Sequence, residues 1–362
     1  MCISREIPRI IGGEPVEYIS YTQKWKNVES VIFLKTVKLN RNELYKGAKL
    51  IQDGEIVAFP TDTVYGLGAD ATNNEAVQKI FKAKGRPTDR PISVLVAEYK
   101  DIEKYALEVS KEVSTLAEKF WPGPLTIILK NAGLFASAVT PGRETVGLRM
   151  PDDPLTLEFI KQCGVPLATP SANTTGRPSP TLAEHVLDDL EGKISAVIDG
   201  GETSFGIEST VLDYSNPEKP IILRPGNISK NAIETTIDQP VYLKEEKKSE
   251  NNGKDKHYEP KIPVFIVDST WSEAIETMQG QDEKIGILAN REIVEKFRGE
   301  GVASFSLGAP GDLKTANRTL FQGLRTLEQT EATVILAEPL TKGELSELYM
   351  NRLKNAANQK KI

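Results

Sequence analysis

The chain has 362 residues, 45 Lys+Arg against 51 Asp+Glu (formal net charge −6), 39% hydrophobic and 27% charged. That length favours two domains, each able to bury a core, and no apolar run approaches the ~18–20 residues of a membrane-spanning helix, which excludes an integral helical membrane protein. The acidic balance argues against coating nucleic acid through bulk charge, and two cysteines (Cys2, Cys163) and two histidines (His185, His257) form no disulfide framework, metal spacing or triad signature.

Residues 1–30 lack the uninterrupted apolar core of an export signal and carry acids that a transit peptide avoids. They read as an extension of undefined role on a cytoplasmic chain. Residues 31–242 then mix strands and helices. EIVAFP (55–60) is a strand, and Glu75–Lys84 is a helix with Ala76, Val77, Ile80 and Phe81 on one stripe and Gly85 just past its end. Further strands are expected at 91–97, 125–130, 145–151, 165–170, 195–200, 209–214 and 221–226. Many strands, few helices and no βα alternation indicate an α+β domain around a twisted mixed sheet.

Residues 243–262 are dense in Lys, Glu and Asn and poor in aliphatics, a linker by composition, although His257-Tyr258 near its end supplies an aromatic that a solvated linker does not need. Residues 263–362 alternate short apolar runs (263–267, 284–289, 302–307, 332–337) with helical periods from about Trp271, through Ile293 and Phe297, over Leu313–Leu327 and over Leu345–Ala357. This is the pattern of a small α/β, Rossmann-like domain with a four-stranded parallel sheet covered on both faces. Its strand-to-helix turns carry no G-x-G-x-x-G, which favours a packing or gating domain over a nucleotide site.

Five segments and one isolated arginine hold the chemistry. KIFKAKGRPTDR (79–90) sets Lys79, Lys82, Lys84, Arg86 and Arg90 against one acid, Asp89. An ammonium and a planar guanidinium fork held by a proline-fixed turn suit a phosphate chain, and both Lys84 and Arg86 are expected to point into solvent or ligand. The bland alternative is a solvated helix end complementing its own dipole. PTDTVYGLG (60–68) follows a strand and reads as a polar-recognition loop. The G-L-G-A-D-A that starts at Gly66 fits a dinucleotide fingerprint, with Ala last, only formally, since Pro60 to Tyr65 separates it from the strand. The loop Thr169–Thr181 carries six hydroxyl residues, Asn173 and Arg177, neutral donors suited to a ligand that brings its own charge. Gly206-Ile207-Glu208-Ser209-Thr210 and Arg224-Pro225-Gly226 repeat polar residues at strand ends, and Arg149, alone in an apolar run, must face a carboxylate of protein or ligand. Without a Walker loop or hydrolytic triad, such a cleft works by positioning and charge stabilisation, as in phosphoryl and nucleotidyl transfer.

In order, P-T-D-T-V-Y-G-L-G, K-G-R-P, S-A-N-x-x-G, E-S-T-V-L-D and L-R-P-G resemble the YrdC-like domain of the threonylcarbamoyl-AMP synthases. The H-Y-x-P at the linker end and Met350-Asn351-Arg352-Leu353 resemble the long two-domain form of that family. The resemblance implies a YrdC-like catalytic domain that makes threonylcarbamoyl-AMP and pyrophosphate from L-threonine, bicarbonate or CO2, and ATP with Mg2+. It implies a product that feeds the tRNA threonylcarbamoyl transferase machinery. Carried over position by position, it assigns threonine to Thr61, Thr63, Tyr65, Arg149, Ser171 and Ser209. It assigns ATP to Lys84, Arg86, Arg90, Thr145, Asn173, Thr181, Arg224 and Tyr258, with Lys84, Arg86, Ser171 and Asn173 at the shared centre. A hypothesis beside these assignments is that His257-Tyr258 folds back over the cleft as a lid when substrates bind. Leu95 departs from the family pattern, which often has a histidine there. Two alternatives differ in class: a carbamoyl-adenylating transferase, whose usual accessory modules are missing, and a double-stranded RNA-binding assembly factor using the basic 79–90 segment.

Overall fold

A computed structural model describes residues 35–244, 257–299, 302–343 and 345–362. The expected extension 1–30 and the linker core at 245–256 lie outside the described residues. The first domain contains strands β1 (Val37–Leu39), β2 (Val57–Phe59), β3 (Gly66–Asp70), β4 (Val94–Leu95), β5 (Leu125–Lys130), β6 (Thr145–Arg149), β7 (Leu167–Ala168), β8 (Ala196–Ile198), β9 (Thr210–Asp213), β10 (Ile221–Arg224) and β11 (Tyr242–Leu243). Its helices are α1 (Leu44–Gln52), α2 (Asn74–Lys84), α3 (Asp101–Tyr105), α4 (Lys111–Phe120), α5 (Pro154–Cys163), α6 (Ala183–Leu190) and α7 (Lys230–Ile237). The strands form one mixed sheet in the order β1-β8-β2-β3-β7-β4-β6-β5-β9-β10-β11. The two apolar clusters of this domain include Leu67, Val77 and Ile127 in one and Phe59, Phe159 and Ile198 in the other.

The α+β class is as expected, but the domain is richer in helix than its strand count suggested. The missed helices are short and announce themselves by caps more than by period. Ser110, Asp153 and Ser229 each accept an N–H from the first turn of α4, α5 and α7, and Pro154 opens α5. The strand expected over 91–97 shrinks to two residues. Pro91 has no N–H to give, Ile92 donates to Val139 and the Ser93 carbonyl accepts from Thr169, so its ladder is shared among several partners. The second half of the expected 60–68 loop is strand β3, antiparallel to β2.

The second domain has the expected four-stranded parallel sheet. Strands β12 (Val264–Ile266), β13 (Ile285–Ala289), β14 (Ala303–Ser306) and β15 (Val334–Ala337) make an all-parallel sheet in the order β12-β15-β13-β14. Helices α8 (Trp271–Gln279), α9 (Arg291–Lys296), α10 (Leu313–Leu327) and α11 (Ser346–Ala356) cover it. Helix α10 also docks on the first domain. Ile207 is buried in the second domain's apolar cluster, and the Phe321 ring lies 4.9 Å from that of Tyr258. Gly206 permits this approach: its φ is +70° and a Cβ there would meet the Arg318 carbonyl at 1.8 Å.

Candidate active site

Helix α2 delivers the first cation. Gly85 sits in the left-handed region (φ 59°), Arg86 N–H donates to the Phe81 carbonyl at 3.0 Å and Gly85 N–H to Lys82 at 3.3 Å, a Schellman ending. The chain therefore turns sharply between Lys84 and Arg86. Of the two surroundings expected for Lys84, solvent or ligand, solvent does not apply: its side chain lines the cavity described below and is only 2% exposed. Its Nζ donates to the carbonyls of Ser171 and Asn173, each at 2.5 Å, and Thr175 N–H donates back to the Lys84 carbonyl at 2.9 Å. Burial, reinforced by the nearby Arg86 charge, pushes the Lys84 ammonium down to about 7. Arg86 donates from Nη2 to the Pro91 carbonyl at 3.0 Å, and burial together with Arg90 lowers it to about 10.

The Thr61 loop is stitched to the same place. Ala172 N–H donates to the Tyr65 carbonyl at 2.8 Å, Leu67 N–H to Pro170 at 2.9 Å, and Tyr65 N–H to Pro180 at 2.8 Å. Thr61 Oγ1 donates to the Val64 carbonyl at 2.7 Å, so the 3.0 Å contact with Thr63 Oγ1 must use the Thr63 proton. Thr63 in turn accepts from Arg149 Nη1 at 2.9 Å, giving a directed chain from Arg149 through Thr63 and Thr61 to Val64. Arg149 also donates from Nε to Gly123 and pairs with Asp62, which is 1% exposed. The carboxylate demanded by this lone arginine thus belongs to the protein.

On the opposite wall Ser209 Oγ lies 2.8 Å from Thr126 Oγ1 and accepts from Arg224 Nη2 at 3.1 Å. Glu208 accepts from the Ser179 hydroxyl at 2.6 Å and lies 3.6 Å from Arg352 Nη2 of the second domain. Although burial raises its pKa, Arg352, Arg224 and Ser179 outweigh that and hold Glu208 below the usual carboxylate range. These walls enclose a cavity of about 360 Å³, within the range of small-molecule sites. Among the described residues no carboxylate lies within ion-pair distance of Lys84, Arg86 or Arg224. Arg86 Nε, Asn173 Oδ1 and Thr175 Oγ1 are buried at the cavity without a hydrogen-bond partner. Orphaned buried polar atoms cost about 1–3 kcal/mol each, so the cavity wall has open donors and acceptors that suit a polar ligand.

Eleven of the fourteen residues singled out from the sequence line this cavity: Thr61, Thr63, Lys84, Arg86, Arg90, Arg149, Ser171, Asn173, Ser209, Arg224 and Tyr258. Three do not. Tyr65 is fully buried behind the loop, its hydroxyl donating to Gly201 and accepting from Gly200 N–H. Thr181 is buried with its N–H donating to His185 Nδ1 at 3.2 Å, and burial lowers that imidazole to about 4. Thr145 is on the Gly147–Arg149 side of β6 but at its far end, half-buried and outside the lining. Missed from the sequence were Asp62 and Glu208 as specific partners. Asp62 was signalled by the isolated Arg149, whereas nothing local marks Glu208 as the partner of an arginine 144 positions away, at Arg352.

Comparison with known proteins adds a second line of evidence. A family model described as Telomere recombination matches residues 49–226, and one described as Threonylcarbamoyl-AMP synthase, C-terminal domain, matches 228–358. The chain is 39% identical over 332 residues to the Bacillus subtilis threonylcarbamoyl-AMP synthase, spanning 89% of this chain and 95% of that relative. It is 34% identical over 363 residues to the Schizosaccharomyces pombe protein of the same name, covering 88% and 89% of the two chains. The crystal structure of Pyrococcus abyssi Sua5 complexed with L-threonine superposes with a TM-score of 0.79 at 35% identity, over 90% of this chain and 98% of that one.

Proposed function

The chain belongs to the threonylcarbamoyl-AMP synthase family, and from that premise we propose that its cavity joins L-threonine, CO2 or bicarbonate, and ATP. The observation that carries the reading is the Lys84 ammonium on the carbonyls of Ser171 and Asn173, which unites the basic corner with the hydroxyl-rich turn. Thr61, Thr63, Arg149, Ser171 and Ser209 form the threonine side, with Tyr65 bracing that loop from behind. Lys84, Arg86, Arg90, Asn173, Arg224 and Tyr258 form the nucleotide side. Thr181 supports the wall from behind, and Thr145, at the far end of β6, stands outside the cavity.

The threonine amine adds to CO2 and releases a proton, leaving a carbamate. A carbamate oxygen then attacks the α-phosphorus, the bond from that phosphorus to the bridging oxygen breaks, and pyrophosphate departs. Because the nucleophile arrives anionic, the protein supplies no strong base. Its task is to hold two anions in line, which Lys84, Arg86 and Arg224 accomplish by offsetting their repulsion and stabilising charge on the leaving pyrophosphate. Magnesium fits this chemistry as a companion of the triphosphate. The cavity offers hydroxyls, amides and cations, and its Glu208 is engaged by Ser179 and Arg352. Phosphate oxygens and water would therefore supply most of the ion's ligands, and the ion would withdraw charge from the phosphates. The product serves tRNA threonylcarbamoylation through a separate transferase.

A pyrophosphate-release assay run with threonine, with serine and with no amino acid tests the reading. Release should be fastest with threonine and near background without amino acid. Equal release in all three would reject it.

A further inference from the structure

The nucleotide-side loop is held from two domains. Within the loop, Asn173 Nδ2 donates to the carbonyls of Thr174 (2.8 Å) and Arg177 (3.0 Å). The Arg177 side chain forms a fork on Glu328, just past α10, with Nη1 at 2.8 Å from Oε2, and its Nε lies 3.5 Å from Asp189 Oδ1. Asp189 Oδ2 accepts from Thr174 N–H at 3.1 Å and from Arg325 Nη2, on α10, at 2.8 Å. Arg325 also donates to the Pro178 carbonyl from Nη2 at 2.6 Å. Glu328 Oε2 accepts a further bond from Lys261 N–H at 2.8 Å, and Glu259 N–H donates to the Gly176 carbonyl at 2.8 Å. The segment bearing Tyr258 and the loop bearing Asn173 therefore meet at Glu328. The side chains of Arg325, Glu328 and Asp189 are 1%, 0% and 3% exposed, so this network is not a solvent-screened surface contact.

We propose that Glu328 and Arg325 are positioning residues for ATP. Through Arg177, Asp189 and the Pro178 carbonyl, the C-terminal domain sets the geometry of the Asn173–Ser179 loop and thereby the enzyme's affinity for the nucleotide, not for threonine. Besides the backbone bonds from Thr175 N–H to Lys84 and from Glu259 N–H to Gly176, charge holds that loop, and Arg325 of α10 and Glu328 just past it supply two of the four charged groups. Thr61 and Thr63 on the threonine side are held by other partners, the Arg149–Thr63–Thr61 chain and Asp62. Perturbing Glu328 should separate the two substrates.

The inference rests on the assignment of this loop to the nucleotide, and the test distinguishes the two. In the full-length protein, E328Q keeps the shape and removes the charge facing Arg177. R325K keeps the charge but loses the fork that spans Asp189 and Pro178. Each variant is assayed for the KM of ATP and of threonine, for ATP binding without threonine by calorimetry, and for Tm. E328Q should raise the ATP KM and Kd about tenfold and leave the threonine KM within about twofold, with R325K intermediate. R318A removes an outer contact of α10 with Glu202 and should change neither constant. If E328Q does not fold, R325K carries the same comparison. Lowered Tm with an unchanged ATP KM, or equal rises in both KM values, would overturn the inference alone. Wild-type protein without threonine-dependent pyrophosphate release would overturn the functional assignment beneath it.

Discussion

Lys84 shows how placement changes a residue's behaviour. As a helix-end lysine it would be an ordinary solvated cation. Buried on two carbonyls beside Arg86, it titrates near 7, so its charge varies across the physiological range. Because the charged form attracts phosphate, ATP should bind best below pH 7. The ATP KM should rise from pH 7 to 9, by up to about tenfold per unit, and steady-state kinetics of K84M should lose most of that slope. Arg149 and Asp62 make a second case, where the partners are unequal. Burial already raises the Asp62 pKa despite Arg149, so Asp62 left alone can take up a proton, whereas a buried guanidinium cannot discharge. D62A should therefore cost roughly 3–5 kcal/mol in urea unfolding, and R149M distinctly less.

Among the elements, glycines mark two different requirements. Gly85 ends α2 with a positive φ and open space around its Cα, so G85A adds strain of about 1–2 kcal/mol without collision. Gly206 combines a positive φ with the Arg318 backbone in contact, so G206A must displace α10. Denaturant midpoints should show the larger loss in G206A, and near-ultraviolet circular dichroism should show altered domain contact only there. Long elements were the legible ones. Helix α10 spans the residues its period indicated, and its buried stripe of Ala316, Leu320, Phe321, Leu324 and Leu327 is long enough to average out local noise. Helices of eight to ten residues such as α5 and α6 carry too few turns for that, and the two-residue strands β4 and β7 owe their conformation to neighbours.

For the molecule as a whole, the C-terminal domain is part of the scaffold of the site. Arg352 reaches across to Glu208 and donates to the Pro225 carbonyl at 2.7 Å, while Arg325 and Glu328 hold the loop on the other side of the cavity. The domain thus grips both the Arg224-Pro225-Gly226 turn and the Asn173–Ser179 loop. A domain read from sequence as packing or gating material supplies charges that hold the Asn173–Ser179 wall of the cavity. Buried ion pairs of this kind contribute little net stability compared with apolar contacts, but they are demanding in geometry, which suits a boundary that must set loop positions.

Local order along the chain sufficed for the architecture of two domains, the parallel sheet of the second, the turn after Lys84 and the residue types that make an anion site, because each depends on short-range period, caps and composition. Pairings lay beyond its reach. That Arg149 meets Asp62, that Lys84 is sealed under Ser171 and Asn173, and that Glu328 anchors Arg177 across 151 positions depend on which strand edges and helix faces the folded chain brings together. Burial then decides what those charges do, since desolvation and partner choice are properties of a three-dimensional surrounding and leave no mark on neighbouring letters.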